Sequence, residues 1–340
     1  MNEKVVTLSK VKQNSALTEL VRLSWHRLVG RQEFIVFVLL LVVGTFLSLW
    51  TDTFFTANNL FNVARAFSWI AIVAFGEGMV IIIGGIDLSV GAVMALAGLV
   101  SAFCMRAGFS VPISIIVGLF TGMLVGGVNG TVIGRLRLPA FIVTLGTMSI
   151  VRGIAFSLTG GWPVRDLPQE FRALGQYELP LGSWFVPLPF LIMFGLAILV
   201  SLLFSQTVLS GYIYTLGNGE RALLVSGVNP VQIKVLVYAM CGLLTAIGGL
   251  LMTARLGVAA PTAAVGYELD IIAAAVIGGV SLFGGRGTIW GILLGAAFMQ
   301  VLRNGLVLLG FPAYWQAVVI GAIILLAILL DSWQRQSALR

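Results

Sequence analysis

The chain has 340 residues, 59% hydrophobic and 10% charged, with a formal net charge of +7 and a mean hydropathy of +1.05. Soluble domains carry roughly 25% charged residues, so this chain cannot cover itself with polar surface, and its solvent is lipid. The positive charge does not point to nucleic acid. Lys4, Lys10, Lys12, Arg22, Arg27 and Arg31 precede the first apolar segment and Arg335 and Arg340 follow the last, which is topology information under the positive-inside rule.

Residues 1–33 form a basic arm lacking the short apolar core and small-residue cleavage site of a signal peptide. Ala16 to Val29 puts Leu17, Leu20, Val21, Ser24, Trp25 and Leu28 on one helical face. That suits an amphipathic helix on the membrane surface or a solvated arm. His26, the single histidine, falls here and is expected at a surface. Phe34–Trp50 is the first span, and Thr51–Phe67, with Asn58, Asn59 and Arg65, is expected outside. Ser68–Gly84 returns with Glu77, Val90–Met105 goes out, and Val111–Ile133 comes in to Arg135 and Arg137. Phe141–Leu158 goes out with Arg152, and an outer loop over 159–187 follows.

Leu188–Ser205 leads to an inner loop over 206–232, and Ile233–Thr253 goes out again. Leu269–Leu282 is shorter than the ~20 residues of a full span, so it is expected to be tilted, recessed or broken. Ile289–Leu309 and Tyr314–Leu330 complete a transmembrane domain over 34–331, followed by a tail over 332–340. The expectation is an all-α polytopic membrane protein of about ten transmembrane helices with broken segments and both termini cytoplasmic. On this path thirteen basic residues fall inside, all four lysines among them, and five outside, whereas the opposite orientation translocates most of the charge.

The chain is organised around Val80–Leu96, VIIIGGIDLSVGAVMAL. A Gly-Gly break inside lipid is tolerated only where protein or a wet cavity surrounds it, and a carboxylate near the bilayer centre costs ~2.5–3.5 kcal/mol. Asp87 or Ser89 is expected either to N-cap the next helix or to face a ligand from a helix start. Ile83-Gly84-Gly85-Ile86-x-Leu88 recurs as Ile277-Gly278-Gly279-Val280-x-Leu282, a pair of interrupted segments of the kind found at a pathway between repeats. Gly118, Gly122, Gly126, Gly130 and Gly134 recur every four residues, as do Gly287, Gly291 and Gly295, and such grooves admit a neighbouring backbone.

No G-x-x-x-x-G-K-[S/T] loop, H-E-x-x-H or Cys cluster occurs, so the chain offers no nucleotide loop of that kind and no metal site. Cys104 and Cys241 lie in apolar segments and are expected as free thiols. One histidine and no G-x-S-x-G elbow leave no triad. Glu77, Asp87, Arg152 and Arg303 lie within or beside spans, where they should pair, sit at an interface or line a hydrated route. Glu77 and Arg152 form a candidate pair, and Arg303 is expected at an interface.

Gly84-Gly-Ile-Asp-Leu-Ser-Val-Gly91 resembles the most characteristic string of the permease subunits of ribose-type bacterial sugar importers, members of the ABC superfamily. Gly266-Tyr-Glu-Leu-Asp270 with Ile277-Gly-Gly279 and Gly284-Gly285, and Leu138-Pro-Ala-Phe-Ile-Val-Thr-Leu-Gly146, are similar to further strings of that family. The resemblance covers about residues 60–330. It implies an inner-membrane protein without catalytic chemistry, working with a second permease chain, a cytoplasmic ATPase that binds the ATP, and a periplasmic sugar-binding protein. No cofactor is implied for this chain, and its remaining partner is membrane lipid.

The resemblance also implies a coupling loop at Gly217–Val228, with Ala222 and Gly227 matching. The residues alone suggest a short exposed helix capped by Asn218 and stopped at Gly227, so Asn218, Glu220, Arg221, Ala222, Ser226 and Gly227 are the candidate ATPase contacts. The loop departs from the family at Arg221–Val225, where an Ala pair and a later Arg would stand. Glu77 departs too, where a neutral polar residue is usual. Candidate pathway residues are Glu77, Asp87, Ser89, Asn129, Thr144 and Arg152, and Arg165 and Arg172 are candidates for docking the binding protein. The rival reading is an ion-coupled secondary carrier, and a structural scaffold is a third.

Overall fold

The computed structural model describes residues 32–181 and 184–338; the basic arm, with Ala16–Val29 and His26, lies outside them. Among the described residues there are thirteen helices: α1 (Gln32–Trp50), α2 (Ala57–Ile82), α3 (Val90–Arg106), α4 (Val111–Leu136), α5 (Ala140–Thr159), α6 (Gln169–Gln176), α7 (Leu188–Gln206), α8 (Val208–Asn218), α9 (Glu220–Val225), α10 (Pro230–Leu256), α11 (Tyr267–Ile277), α12 (Ile289–Leu308) and α13 (Ala313–Ala338). A hairpin of β1 (Glu178–Leu181) and β2 (Trp184–Pro187) pairs antiparallel, with Leu181 opposite Trp184. Seven helices are long and apolar enough to cross a membrane: α1, α2, α4, α5, α7, α10 and α12. With α3, α11 and α13 they make up the ten or so membrane segments expected.

Helix α1 defines two ends of the bundle, a Gln32 end and a Trp50 end. Helix α2 is the central post. Every residue from Ser68 to Ile82 is buried, as befits a helix apolar on all sides. Helices α7, α10, α11 and α12 surround it. It begins before Ser68, where the sequence reading started the span, within the stretch Thr51–Phe67 expected outside: the Thr56 hydroxyl caps the helix by accepting from the Asn59 amide. The polar residues there stay helical by bonding across the bundle. Asn59 and Asn304 exchange amide bonds of 3.0 and 2.8 Å, and Arg65 forms an ion pair with Glu178 of β1. The 159–187 loop is likewise structured by α6 and the hairpin, with Phe171 fully buried. Val164 and Ala259 clip it down through reciprocal backbone bonds of 2.8 and 2.9 Å. At the other extreme α13 runs on through Ala338 rather than giving way to a tail after 331.

Helix α4 is turned inside out relative to a soluble helix. Its small residues, Gly118, Gly122, Gly126, Gly130 and Gly134, are buried, while Ile116, Phe120, Leu124 and Val128 face outward. Lipid is as apolar as any core, so nothing drives the large side chains inward, and close backbone approach decides the packing. A side chain at Gly122 would meet the Gly242 carbonyl of α10, and one at Gly242 would meet the Gly122 carbonyl. In the second glycine series Gly291 and Gly295 do the same against α11, but Gly287 precedes α12 and serves the loop.

Helices α3 and α11 are partial spans that start inside the bundle. Met94 lies against Gly249 and Gly98 against Thr253, so α3 follows the Trp50-end part of α10. Gly278 and Ala274 lie against Gly291 and Gly295, so α11 follows the Gln32-end part of α12. At ~1.5 Å per residue, the 11 residues of α11 cover about half of a ~30 Å hydrocarbon core. The two starts meet: a side chain at Gly91 of α3 would lie 2.6 Å from both the Ala264 carbonyl and a Glu268 carboxylate oxygen.

The glycine seam gives a direct test. Gly242→Val forces α4 and α10 apart and is expected to destabilise the chain by about 1–3 kcal/mol or more, read as a lowered unfolding temperature in detergent. Gly146→Ala, at a site with no atom near the added carbon, is expected to leave that temperature unchanged.

Candidate functional site

Helix α2 ends at Ile82 because the next residues can adopt what a helix end needs. Gly84 takes a left-handed conformation with φ of 82°. Its amide donates to the Ile81 carbonyl at 2.8 Å and the Gly85 amide to the Val80 carbonyl at 2.9 Å. That is a Schellman termination, which satisfies the orphan carbonyls within the chain. Helix α11 ends the same way: Gly279, with φ of 98°, donates to the Val276 carbonyl, and Val280 to that of Ala275, both at 3.0 Å. The two breaks share a device, but not the register of the sequence repeat. The left-handed residue is the first glycine of one pair and the second of the other. Gly85 instead makes room for the Tyr238 hydroxyl, and Gly278 for the Gly291 backbone.

Beyond the α2 break the chain turns back on itself and builds a polar network through four elements. Glu77 of α2 accepts from the Asp87 amide at 3.0 Å. Asp87 accepts from the Ser89 amide at 2.8 Å and from its hydroxyl at 2.5 Å. The Asn129 amide of α4 donates to the Ser89 oxygen at 3.1 Å, and the Thr147 hydroxyl of α5 donates to the Asn129 oxygen at 2.6 Å. Thr144 of α5 holds the same turn, accepting from the Leu88 amide at 3.2 Å and lying 3.1 Å from the Ile86 carbonyl. Asp87 thus serves α3 by a local turn onto Ser89, and Ser89 itself makes no side-chain cap bond.

Five of the six candidate pathway residues therefore meet in one place. Glu77, Asp87, Ser89, Asn129 and Thr144 are each at most 3% exposed, so in this conformation they are sealed core joining α2, α4 and α5 across the break. Thr147 belongs to the network and was missed; only its position three residues after Thr144 on α5 could have flagged it. Neither Glu77 nor Asp87 forms an ion pair among the described residues, and one Glu77 oxygen and the Tyr238 hydroxyl have no hydrogen-bond partner.

Arg152 stands apart, which overturns its pairing with Glu77. Its guanidinium donates to the Pro261 and Ala263 carbonyls at 2.7 and 2.8 Å. It thereby satisfies the irregular backbone that leads down to α11, a requirement wherever non-helical chain enters the membrane. Arg303 also finds a partner the sequence did not suggest: it forms an ion pair with Asp270 of α11 and lies 5.1 Å from the Tyr267 ring centroid.

At the Gln32 end, α8 touches both breaks. The Gly285 amide, in the loop after the α11 break, donates to the Ile82 carbonyl at 2.8 Å. A side chain at Gly217 of α8 would strike both groups. The Tyr214 hydroxyl donates to the Gly287 carbonyl at 2.7 Å. Asn218 does not cap α9: its amide donates back to the Tyr214 carbonyl at 2.9 Å, and Gly219 stands at the cap position. Gly227, with φ of 78°, does stop α9. Glu220 is tied to Lys234 of α10 by an ion pair, Ser226 bonds back to the Ala222 carbonyl at 3.1 Å, and Arg221 is exposed. Leu223 is buried beneath α9, whereas Leu224 and Val225 are 58% and 90% exposed. At the Trp50 end the exposed Arg165 and Arg172 line one surface cavity of about 490 Å³ with Asp166 and Gly257.

Truncating Asp87 strands two Ser89 donors in a buried site, at a cost of about 1–3 kcal/mol. Asp87→Ala is therefore expected to lower thermal stability in detergent clearly more than Asp87→Asn, which keeps an acceptor oxygen.

Comparisons with known proteins give one consistent answer. Residues 59–328 match the family described as branched-chain amino acid transport system / permease component. The ribose import permease protein RbsC of Escherichia coli (strain K12) is 42% identical over 299 residues, 87% of this chain and 92% of that protein. The fructose import permease protein FrcC of Rhizobium meliloti is 35% identical over 291 residues, 84% and 81% of the two chains. The xylose transport system permease protein XylH of Escherichia coli (strain K12) is 32% identical over 360 aligned positions, 88% and 92%. No solved structure matches the chain. With a match that takes in both helix breaks, the buried network and the α8–α9 segment, the chain belongs to the branched-chain amino acid transport system permease family.

Proposed function

We propose that the chain is the inner-membrane permease subunit of an ATP-driven importer, and that it passes a monosaccharide or related small polyol handed over by a periplasmic binding protein. It is a transport subunit and performs no bond chemistry. ATP is bound by a partner ATPase on the cytoplasmic side, which is the Gln32 end, and this chain needs no cofactor. Relatives named for ribose, fructose and xylose import support a sugar as cargo. A second permease chain completes the passage.

The observation that carries the mechanism is the joint between α8, Ile82 and Gly285. Helix α9 presents Leu224 and Val225 for apolar contact, with Arg221 and Ser226 beside them. It is braced by the Glu220–Lys234 pair and runs directly into α8. Force applied to α9 therefore reaches the ends of both broken helices through α8. Ile82 lies five residues from Glu77, so the push arrives where Glu77, Asp87, Ser89, Asn129 and Thr144 hold the turn shut. Opening the route means parting that network while α3 and α11 swing as short rods. Arg152 anchors the outer approach to α11, and Arg165 and Arg172 offer positive charge to an acidic docking face of the binding protein, an arrangement that acts mainly on encounter.

The test is reconstitution in lipid vesicles with the ATPase and a panel of sugar-loaded binding proteins. Uptake and ATP hydrolysis are expected only with all components present. Uptake by this chain alone, abolished by an uncoupler while ATP is held high, establishes the ion-coupled carrier instead. Val225→Asp is expected to lower coupled uptake about tenfold, the equivalent of ~1.4 kcal/mol of lost docking, in chain that still folds. Exchanging Arg165 and Arg172 for Glu is expected to raise the binding-protein concentration needed for half-maximal ATP hydrolysis, with the rate at saturation kept.

A further inference from the structure

The outward seam of α4 and α10 carries a groove that neither the polar network nor the α8–α9 joint uses. It consists of two cavities of about 590 and 400 Å³ that share Thr131 and Val235. One part runs between Phe120, Leu124 and Gly127; the other reaches Arg135, Asn229 and Gln232 at the Gln32 end. Gly127 lies off the buried glycine stripe, and a side chain added there finds only the Ala239 methyl at 3.9 Å, so its bareness deepens the groove rather than seating α10. Thr131, the polar residue midway, spends its hydroxyl on the Gly127 carbonyl at 2.7 Å and leaves an apolar floor.

Charge is concentrated at one mouth. Arg135 lines it, Arg137 follows at the exposed turn after α4, and neither has a carboxylate partner among the described residues. The other cation nearby, Lys234, is already paired with Glu220. Asn229 and Pro230 open α10 at the same mouth, so the positive end of that helix adds to the arginine. From Phe120 to Arg135 the groove is about 22 Å long at ~1.5 Å per residue. One leaflet contributes about half of a ~30 Å hydrocarbon core, so the groove reaches from mid-bilayer to headgroup level.

We propose that this groove is a binding site for one anionic phospholipid, with an acyl chain along Phe120–Val235 and the headgroup phosphate on Arg135 beside the start of α10. A cation near an anionic surface contributes ~1 kcal/mol, which is about fivefold in retention.

The experiment is native mass spectrometry of the full chain released from nanodiscs that contain equal amounts of phosphatidylglycerol and phosphatidylcholine. Wild type is expected to keep phosphatidylglycerol preferentially. Arg135→Gln is expected to cut that preference about fivefold, whereas Arg165→Gln at the opposite end leaves it intact. Gly127→Trp, which fills the groove without touching the charge, is expected to lower retention of both lipids. Equal retention of the two lipids by wild type, or an unchanged preference in Arg135→Gln, overturns the proposal. So does a change in oligomeric state in either groove variant at unchanged lipid content, which makes the groove a contact between protein chains.

Discussion

Everything in this chain is subject to one constraint: inside lipid, a backbone amide or carbonyl without a partner is too costly to keep. A protein that must part its helices needs breaks, and each break frees the polar groups that lipid cannot accept. The chain meets this locally. Gly84 and Gly279 turn left-handed and fold the loosened amides back onto the helices they terminate. What the glycines leave over is taken by side chains: Glu77, Asp87 and Thr144 at one break, and Arg152 on the irregular chain leading into α11. The polar network is first of all the means by which non-helical chain survives at this depth, and any role in passage is built on that.

The second organising feature is the division of labour between large and small residues. Glycines on α4, α10 and α12 draw backbones together, and the large aliphatic side chains are left to the lipid. Such contacts are short, stiff and intolerant of added volume. They join α4 to α10 and seat each partial helix on a full span, α3 on α10 and α11 on α12.

Much of this was legible in the sequence, and what was not has a physical cause. The spans follow from apolar length, and the α11 half-helix was betrayed by its brevity. The assembly of Glu77, Asp87, Ser89, Asn129 and Thr144 could be suspected because polar groups in apolar segments need one another. Which group meets which could not. Arg152 looked like the natural partner of Glu77 because charge seeks charge in lipid, yet bare carbonyls at Pro261 and Ala263 serve a guanidinium equally well and are invisible in a sequence. Asn218 looked like a cap for α9 because its neighbours spell a helix start, but it is the last residue of α8, which leaves the cap position to Gly219. The repeated Gly-Gly pairs revealed two breaks while concealing that they differ by one residue in which glycine turns.

The bond from Gly285 to the Ile82 carbonyl has a consequence for how many ways the chain can move. Two interruptions far apart in the sequence are joined at their Gln32 ends, with α8 seated on the joint. Displacing one loads the bond to the other, so the two breaks are coupled in any movement that keeps this contact. Breaks coupled in this way favour one joint movement over two separate ones.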